Sequence, residues 1–73
     1  MSATKADQLV ERAMVLGSDA GDDSASVAEL RDLARGDELA LERAIRASLA
    51  LPVSLAARHR AIELLARARY EGS

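Results

Sequence analysis

The segment from Pro52 to Tyr70 places the tightest limit on how this chain folds. It is the longest segment with no internal glycine or proline. On a helical wheel, with about 100° per residue, its apolar side chains occupy two arcs that only Arg58 and Arg69 separate. The first arc holds Val53, Ala57, Ala61, Leu64, Leu65 and Ala68, and the second holds Leu55, Ile62 and Ala66. Because a surface helix needs only one apolar stripe, we expect a central helix surrounded by shorter helices or by a partner chain.

The composition favours an all-α fold with a small core. Sixteen of the 73 residues are alanine and eleven are leucine, two residues with high helix propensity. Tyr70 is the only aromatic residue. A core of this size rarely supplies more than about 3–5 kcal/mol of net stability. We therefore expect residues 1–73 to form one helical domain, frayed at 1–4 and 71–73, that gains stability by association.

The spacing of apolar residues predicts four helices. Recurrences at three and four residues place them at about 5–16, 26–35, 37–50 and 53–70. The first three are short for an up-and-down bundle. The sequence therefore predicts a compact array of four helices around the C-terminal helix, with crossing rather than parallel axes.

Residues with special backbone or capping preferences set the predicted boundaries of these helices. Gly17 is expected to end the first helix, because glycine tolerates the left-handed conformation of a helix C-cap. Ser26 and Glu29 have the spacing of a capping box that starts the second helix. Asp37 is expected to cap the third helix. Pro52 is expected in the first turn of the fourth helix, where its missing N–H costs nothing.

Charge is unevenly distributed along the chain. The formal net charge is −2, but residues 1–42 hold ten acidic and four basic residues, and residues 43–73 hold two acidic and six basic residues. This polarity favours a homodimer in which the acidic half of one copy meets the basic half of another, or an acidic partner bound to the last helix. The alternative is that the two halves neutralise each other within one domain.

Residue types that carry out catalysis or bind metal are scarce. Without cysteine, the chain has no disulfide and no thiolate site. His59, the only histidine, lies between Arg58 and Arg60, with no carboxylate beside it to orient the imidazole. A calcium loop counted from Asp19 lacks the spacing of an EF-hand. The sequence therefore predicts a protein that is not an enzyme and has no cofactor, metal site or small-molecule substrate.

The predicted location is cytoplasmic. The N-terminal residues contain no apolar run of the kind found in a signal peptide. No stretch approaches the roughly 18 apolar residues of a membrane span, so no membrane partner is expected.

Two short segments resemble known families. The segment D-S-A-S-V-A-E-L at 23–30 resembles the prosthetic-group site of acyl and peptidyl carrier proteins, with Ser24 at the modified position. Ala25 stands where those proteins carry leucine, and the loop before it is much shorter. The segment R-G-D-E-L-A-L-E-R-A-I-R at 35–46 resembles the start of the core-binding region of bacterial sigma factors, without the promoter-melting segment or helix-turn-helix. The second resemblance favours a bacterial, transcription-related partner, and neither transfers a function.

The predicted function is protein–protein interaction. The chain is expected to be an interaction module, or a small regulatory or accessory subunit, that buries an Ala/Leu-rich face of the last helix against a partner or a second copy. The predicted partner-binding residues are Leu55, Arg58, Ala61, Ile62, Leu65 and Arg69. The alternative is a nucleic-acid-binding or transcription-associated regulator that contacts phosphates through the arginines of that helix.

Overall fold

The computed structural model describes residues 4–18 and 22–70, and these residues form four helices. The helices are α1 (Lys5–Ser18), α2 (Asp23–Ala34), α3 (Glu38–Leu49) and α4 (Leu55–Tyr70). They pack compactly, with no strand in the described ranges, so the all-α prediction is confirmed. Residues 1–3, 19–21 and 71–73 lie outside the described part, including most of the predicted frayed ends and Asp19 of the rejected calcium loop.

The core lies where α4 meets the other three helices. α4 packs against α1, α2 and α3, as expected for the central helix. Every buried apolar side chain in the described ranges is alanine, leucine or valine. Leu9, Leu30, Leu64 and Leu65 are the largest fully buried apolar side chains. Small alanines between them let the helix axes approach closely.

Side chains that precede α1 and α2 cap these helices. The amide of Asp7 donates to Thr4 Oγ1 over 3.1 Å, and the amide of Thr4 donates back to Asp7 Oδ2 over 3.3 Å. This is a capping box that the sequence analysis missed. For α2, the predicted start at Ser26 is wrong. Asp22 is the N-cap, and its Oδ1 accepts the amide hydrogen of Ser24 over 2.9 Å. Ser26 lies in the helix, and its hydroxyl donates to the Asp22 carbonyl.

Gly17 does not end α1, contrary to the prediction. α1 continues through Gly17 to Ser18. A Cβ atom at Gly17 would lie 3.1 Å from the Cβ of Arg60 and 3.6 Å from the backbone nitrogen of Ala61. A small residue at position 17 is therefore favoured by the close approach of α1 to α4 and not by a turn.

The turn between α2 and α3 has two residues with positive φ. Arg35 is the C-cap of α2 at φ 53°, and Gly36 follows at φ 80°. Asp37 then caps α3, as predicted, by accepting the amide hydrogen of Ala40 over 3.0 Å. A left-handed conformation is favourable for Gly36 but unfavourable for Arg35, because the Cβ atom of Arg35 crowds the backbone.

Pro52 lies in the connection between α3 and α4, so its predicted place in the first turn of α4 is wrong. α3 ends at Leu49 and α4 begins at Leu55. Ser54 is positioned to cap α4, since its Oγ accepts the amide hydrogen of Ala57 over 3.2 Å. The connection therefore contains one residue that ends α3, Pro52, and another that caps α4, Ser54.

Candidate interaction surfaces

Large apolar side chains are exposed mainly at one end of the molecule. We call the surface formed by Val15, Leu49, Val53 and Leu55 the apolar end. These side chains are 54%, 61%, 38% and 64% exposed, respectively. They come from the end of α1, the end of α3, the connection and the start of α4. The other two exposed large apolar side chains in the described ranges are Leu39 and Tyr70, which lie elsewhere on α3 and α4.

A groove of about 420 Å³ forms one side of the apolar end. Its apolar lining comes from α1, α3 and the connection, and comprises Val10, Met14, Val15, Ala47, Leu51 and Val53. Asp7 and Glu11 lie at its edge, one turn apart on α1. A concave apolar surface with a few polar groups at its border is typical of sites that receive an apolar group from a partner.

Arg58 lies beside the exposed leucines of the apolar end. Its Nη1 donates to the Leu49 carbonyl over 3.2 Å, which joins the end of α3 to the start of α4. Leu55 precedes it by one turn and the half-buried Ile62 follows it by one turn. Its Nε is buried and has no hydrogen-bond partner in the described part of the chain. A buried donor without an acceptor costs stability. The Nε of Arg58 therefore lowers the stability of the single domain.

The six predicted partner-binding residues fall into two groups in the structure. Ala61 and Leu65 are fully buried in the core of the single chain, so they are not on the surface. The other four, Leu55, Arg58, Ile62 and Arg69, lie on one side of α4 and are half-buried or exposed. The structure also brings Leu49 against Arg58 on this side of α4, and it places Val15 and Val53 in the groove between α1, α3 and the connection. Sequence reasoning did not assign these three residues to a binding surface, although the apolar residues of the segment Leu49–Leu55 were a signal for Leu49 and Val53.

Arg60 and Arg67 on α4 are engaged within the chain. Arg60 binds Asp23 through two hydrogen bonds, with Nη2–Oδ1 at 2.8 Å and Nη1–Oδ2 at 3.4 Å. Arg67 Nη1 lies 3.8 Å from Asp23 Oδ2. The hydrogen bonds from Arg60 hold the pKa of Asp23 below its ordinary value. Two of the four arginines assigned to phosphate contact in the nucleic-acid hypothesis therefore attach the start of α2 to α4.

A second cross-helix ion pair joins α1 to α2. Arg12 and Glu29 form a hydrogen-bonded pair on the surface. The hydrogen bond from Arg12 lowers the pKa of Glu29, as the bond from Arg60 does for Asp23. These two pairs connect three of the four helices, and each joins segments that are distant in the sequence.

The two lowered carboxyl pKa values predict a loss of stability in acid. A carboxyl whose pKa is lower in the folded state stabilises the fold above its unfolded pKa, about 3.9 for Asp and 4.3 for Glu. That contribution disappears as pH falls through the lower folded pKa. We expect Asp23→Asn/Glu29→Gln to be less stable than the wild type at pH 7, with a smaller decrease between pH 6 and pH 3. Urea unfolding at several pH values measures this.

Asp32→Asn is the matched control for this pH experiment. Asp32 is exposed on α2 and forms no ion pair with any residue in ranges 4–18 and 22–70. Its pH dependence should follow that of the wild type. Equal pH dependence of the double variant and the wild type would show that neither ion pair contributes to folding in solution.

Comparisons with known proteins identify no family for this chain. No protein-family model matches it, and no curated protein or solved structure matches it. Among the described helices, none is both long enough and apolar enough to cross a membrane. The described residues also contain no group of three or more His, Asp or Glu side chains arranged to hold a metal ion.

Proposed function

We propose that this chain is a non-enzymatic interaction module, or a small regulatory or accessory subunit, that buries its apolar end against a protein partner or a second copy. The observation that carries the proposal is the concentration of exposed leucine and valine side chains at one end of the molecule. Four of the six exposed large apolar residues in the described ranges lie there. Such patches on soluble domains are typical of binding surfaces.

The size of the domain supports this proposal. The core contains no aromatic side chain and consists largely of alanine and leucine. Small domains with such cores commonly gain stability from an oligomer or a partner. Burial of Leu49 and Leu55 in a complex would remove from water apolar area that is exposed in the single chain, and this would stabilise the complex.

Arg58 adds a polar feature to the proposed interface. Its guanidinium donates a hydrogen bond to the Leu49 carbonyl, its Nε has no acceptor among the described residues, and Leu55 and Ile62 lie one turn away on the same side of α4. Arginine surrounded by apolar residues is often a hot spot, a residue that contributes strongly to the binding free energy of a protein interface. The nucleic-acid hypothesis has less support, because Arg60 and Arg67 are engaged with Asp23.

Leu49→Asp/Leu55→Asp is expected to abolish association. Each aspartate would place an unpaired charge in the interface, and the loss of each leucine contact should weaken binding at least about tenfold. Both positions are more than half exposed in the single chain, so the variant should still fold. Sedimentation equilibrium measures self-association. Binding of the purified partner, first identified by affinity capture with the wild-type chain, is measured by calorimetry.

Leu39→Asp/Tyr70→Asp is the matched control for this experiment. It changes two equally exposed apolar residues and adds the same charge, but outside the apolar end. It should associate like the wild type. Equal association of the apolar-end variant and the wild type would contradict the proposal. So would a wild-type monomer that binds neither a protein partner nor a hydrophobic dye.

A further inference from the structure

A second groove lies away from the apolar end, between the end of α2, the α2–α3 turn and the end of α4. Its volume is about 810 Å³. Three arginines contribute to its wall: Arg31 from the last turn of α2, Arg35 from the C-cap, and Arg69 from the last turn of α4. The apolar residues Ala28, Leu41 and Ala68 also line it. The groove therefore combines guanidinium groups with an apolar surface.

The side-chain N–H groups of these three arginines have no acceptor in the described part of the chain. Arg31, Arg35 and Arg69 form no ion pair or side-chain hydrogen bond with a residue in ranges 4–18 and 22–70. Arg69 stacks over the ring of Tyr70, with 5.3 Å from its Cζ to the ring centroid. Stacking uses the face of a guanidinium and leaves its N–H edge able to donate hydrogen bonds.

Two carbonyls at the end of α2 do not depend on the side chains of these arginines for their hydrogen bonds. Basic residues commonly offset the negative pole of a helix and its unpaired carbonyls. Here the Arg31 carbonyl accepts the amide hydrogen of Arg35 over 2.9 Å, and the Ala34 carbonyl accepts that of Asp37 over 3.0 Å. The ammonium of Lys5 also donates to the Ala34 carbonyl over 3.4 Å. Backbone amides and a lysine therefore already satisfy these carbonyls.

The backbone conformation of Arg35 is unfavourable for an arginine. It occupies the left-handed region at φ 53° and ψ 42°, at a C-cap position where glycine or asparagine is preferred. Glycine would adopt this conformation without strain. Unfavourable backbone conformations held by an ordered structure are concentrated at functional sites. No ion pair of the Arg35 side chain within ranges 4–18 and 22–70 offsets this backbone cost.

We propose that this groove binds a single carboxylate attached to an apolar group. The guanidinium edges of Arg31, Arg35 and Arg69 would donate hydrogen bonds to the oxyanion, as arginine does in bidentate recognition. Leu41 and Ala68 would contact the apolar part of the ligand. Asp32 and Glu38 also line the groove and would repel a second negative group, so the site selects one oxyanion and not a polyanion. This inference is independent of the apolar end.

Amide chemical-shift titration of the full chain tests the proposal, with inorganic phosphate, hexanoate and a short capped peptide containing one glutamate between leucines as probes. At least one of the two carboxylate probes should cause saturable shifts confined to the amides near the groove, at about 28–41 and 65–70. Hexanoate binding more tightly than the peptide indicates an organic acid, and the reverse order indicates an acidic segment of a protein. Either order of the two carboxylates supports the site. Inorganic phosphate binding more tightly than both would contradict it, because phosphate has no apolar group to contact Leu41 and Ala68.

Arg35→Gly separates binding from folding. It should weaken binding of the best probe at least about tenfold while leaving the thermal midpoint equal or higher, because glycine relieves the strained backbone. Arg35→Lys should retain part of the binding, and Arg43→Ala, a change of an exposed arginine on α3, should retain all of it. The absence of saturable shifts with every probe, shifts spread over all basic surfaces, or unchanged binding in Arg35→Gly would each overturn the proposal.

Discussion

Leu65→Asp is expected to leave the chain unfolded at 25 °C. Leu65 is fully buried on α4, at the centre of the core that the other three helices cover. Loss of a buried leucine alone costs about 2–5 kcal/mol, and an unpaired carboxylate in the same place adds a further penalty. A domain of this size has a total stability of about 3–5 kcal/mol. Far-ultraviolet circular dichroism and amide proton dispersion should both show the loss of structure.

Ile62→Asp is the informative comparison for Leu65→Asp. The helical wheel alone predicts that both substitutions unfold the domain, because both residues lie on apolar arcs of the last helix. In the structure Ile62 is only half-buried, so an aspartate there can reach water. We now expect Ile62→Asp to remain folded with reduced stability. A folded Leu65→Asp variant would contradict the packing of α4 described above.

Gly17→Leu is expected to destabilise the domain by about 3 kcal/mol, at the upper end of the usual cost of overpacking. Its side chain would have to fit where even a Cβ atom lies 3.1 Å from Arg60 Cβ and 3.6 Å from the Ala61 backbone. The backbone of α4 cannot move away without opening the core around Ala61 and Leu65. The midpoint and slope of urea unfolding give this change in free energy.

Gly17→Ala is the control for steric size. Alanine gains about 1 kcal/mol of helix propensity over glycine, and its single methyl group requires Arg60 to move by only a few tenths of an ångström. The two effects oppose each other, so the net change should be small. If leucine were tolerated as well as alanine, α1 and α4 would be further apart at this point than the structure shows.

The number and order of the helices could be predicted because their signals are local. Each helix has its own apolar repeat, and Gly36 and Pro52 interrupt the chain between repeats. The start of α2 could not be predicted, because Asp22, Asp23, Ser24 and Ser26 are all acceptable caps. The choice of Asp22 places Asp23 in the first turn, where it binds Arg60. That contact joins residues 37 positions apart, so no local pattern contains it.

The candidate surface was only partly predictable for a related reason. The last helix has two apolar arcs, and its own sequence does not say which one the other helices cover. The structure shows that they cover the arc containing Ala61 and Leu65, with α1 close enough to favour a small residue at position 17. The opposite choice would have left these two residues for a partner. Of the predicted partner-binding residues, those on the side of α4 that contains Leu55 and Arg58 are therefore still available to a partner.

The position of the central helix in the chain has a consequence during synthesis. α1, α2 and α3 leave the ribosome before α4, although their buried leucines, such as Leu9, Leu30 and Leu41, belong to the core that α4 completes. At about 5–20 residues per second, the sixteen residues of α4 take roughly 1–3 s to translate. During that interval the nascent segment exposes apolar faces to water. The core can therefore close only after α4 has been made and has docked.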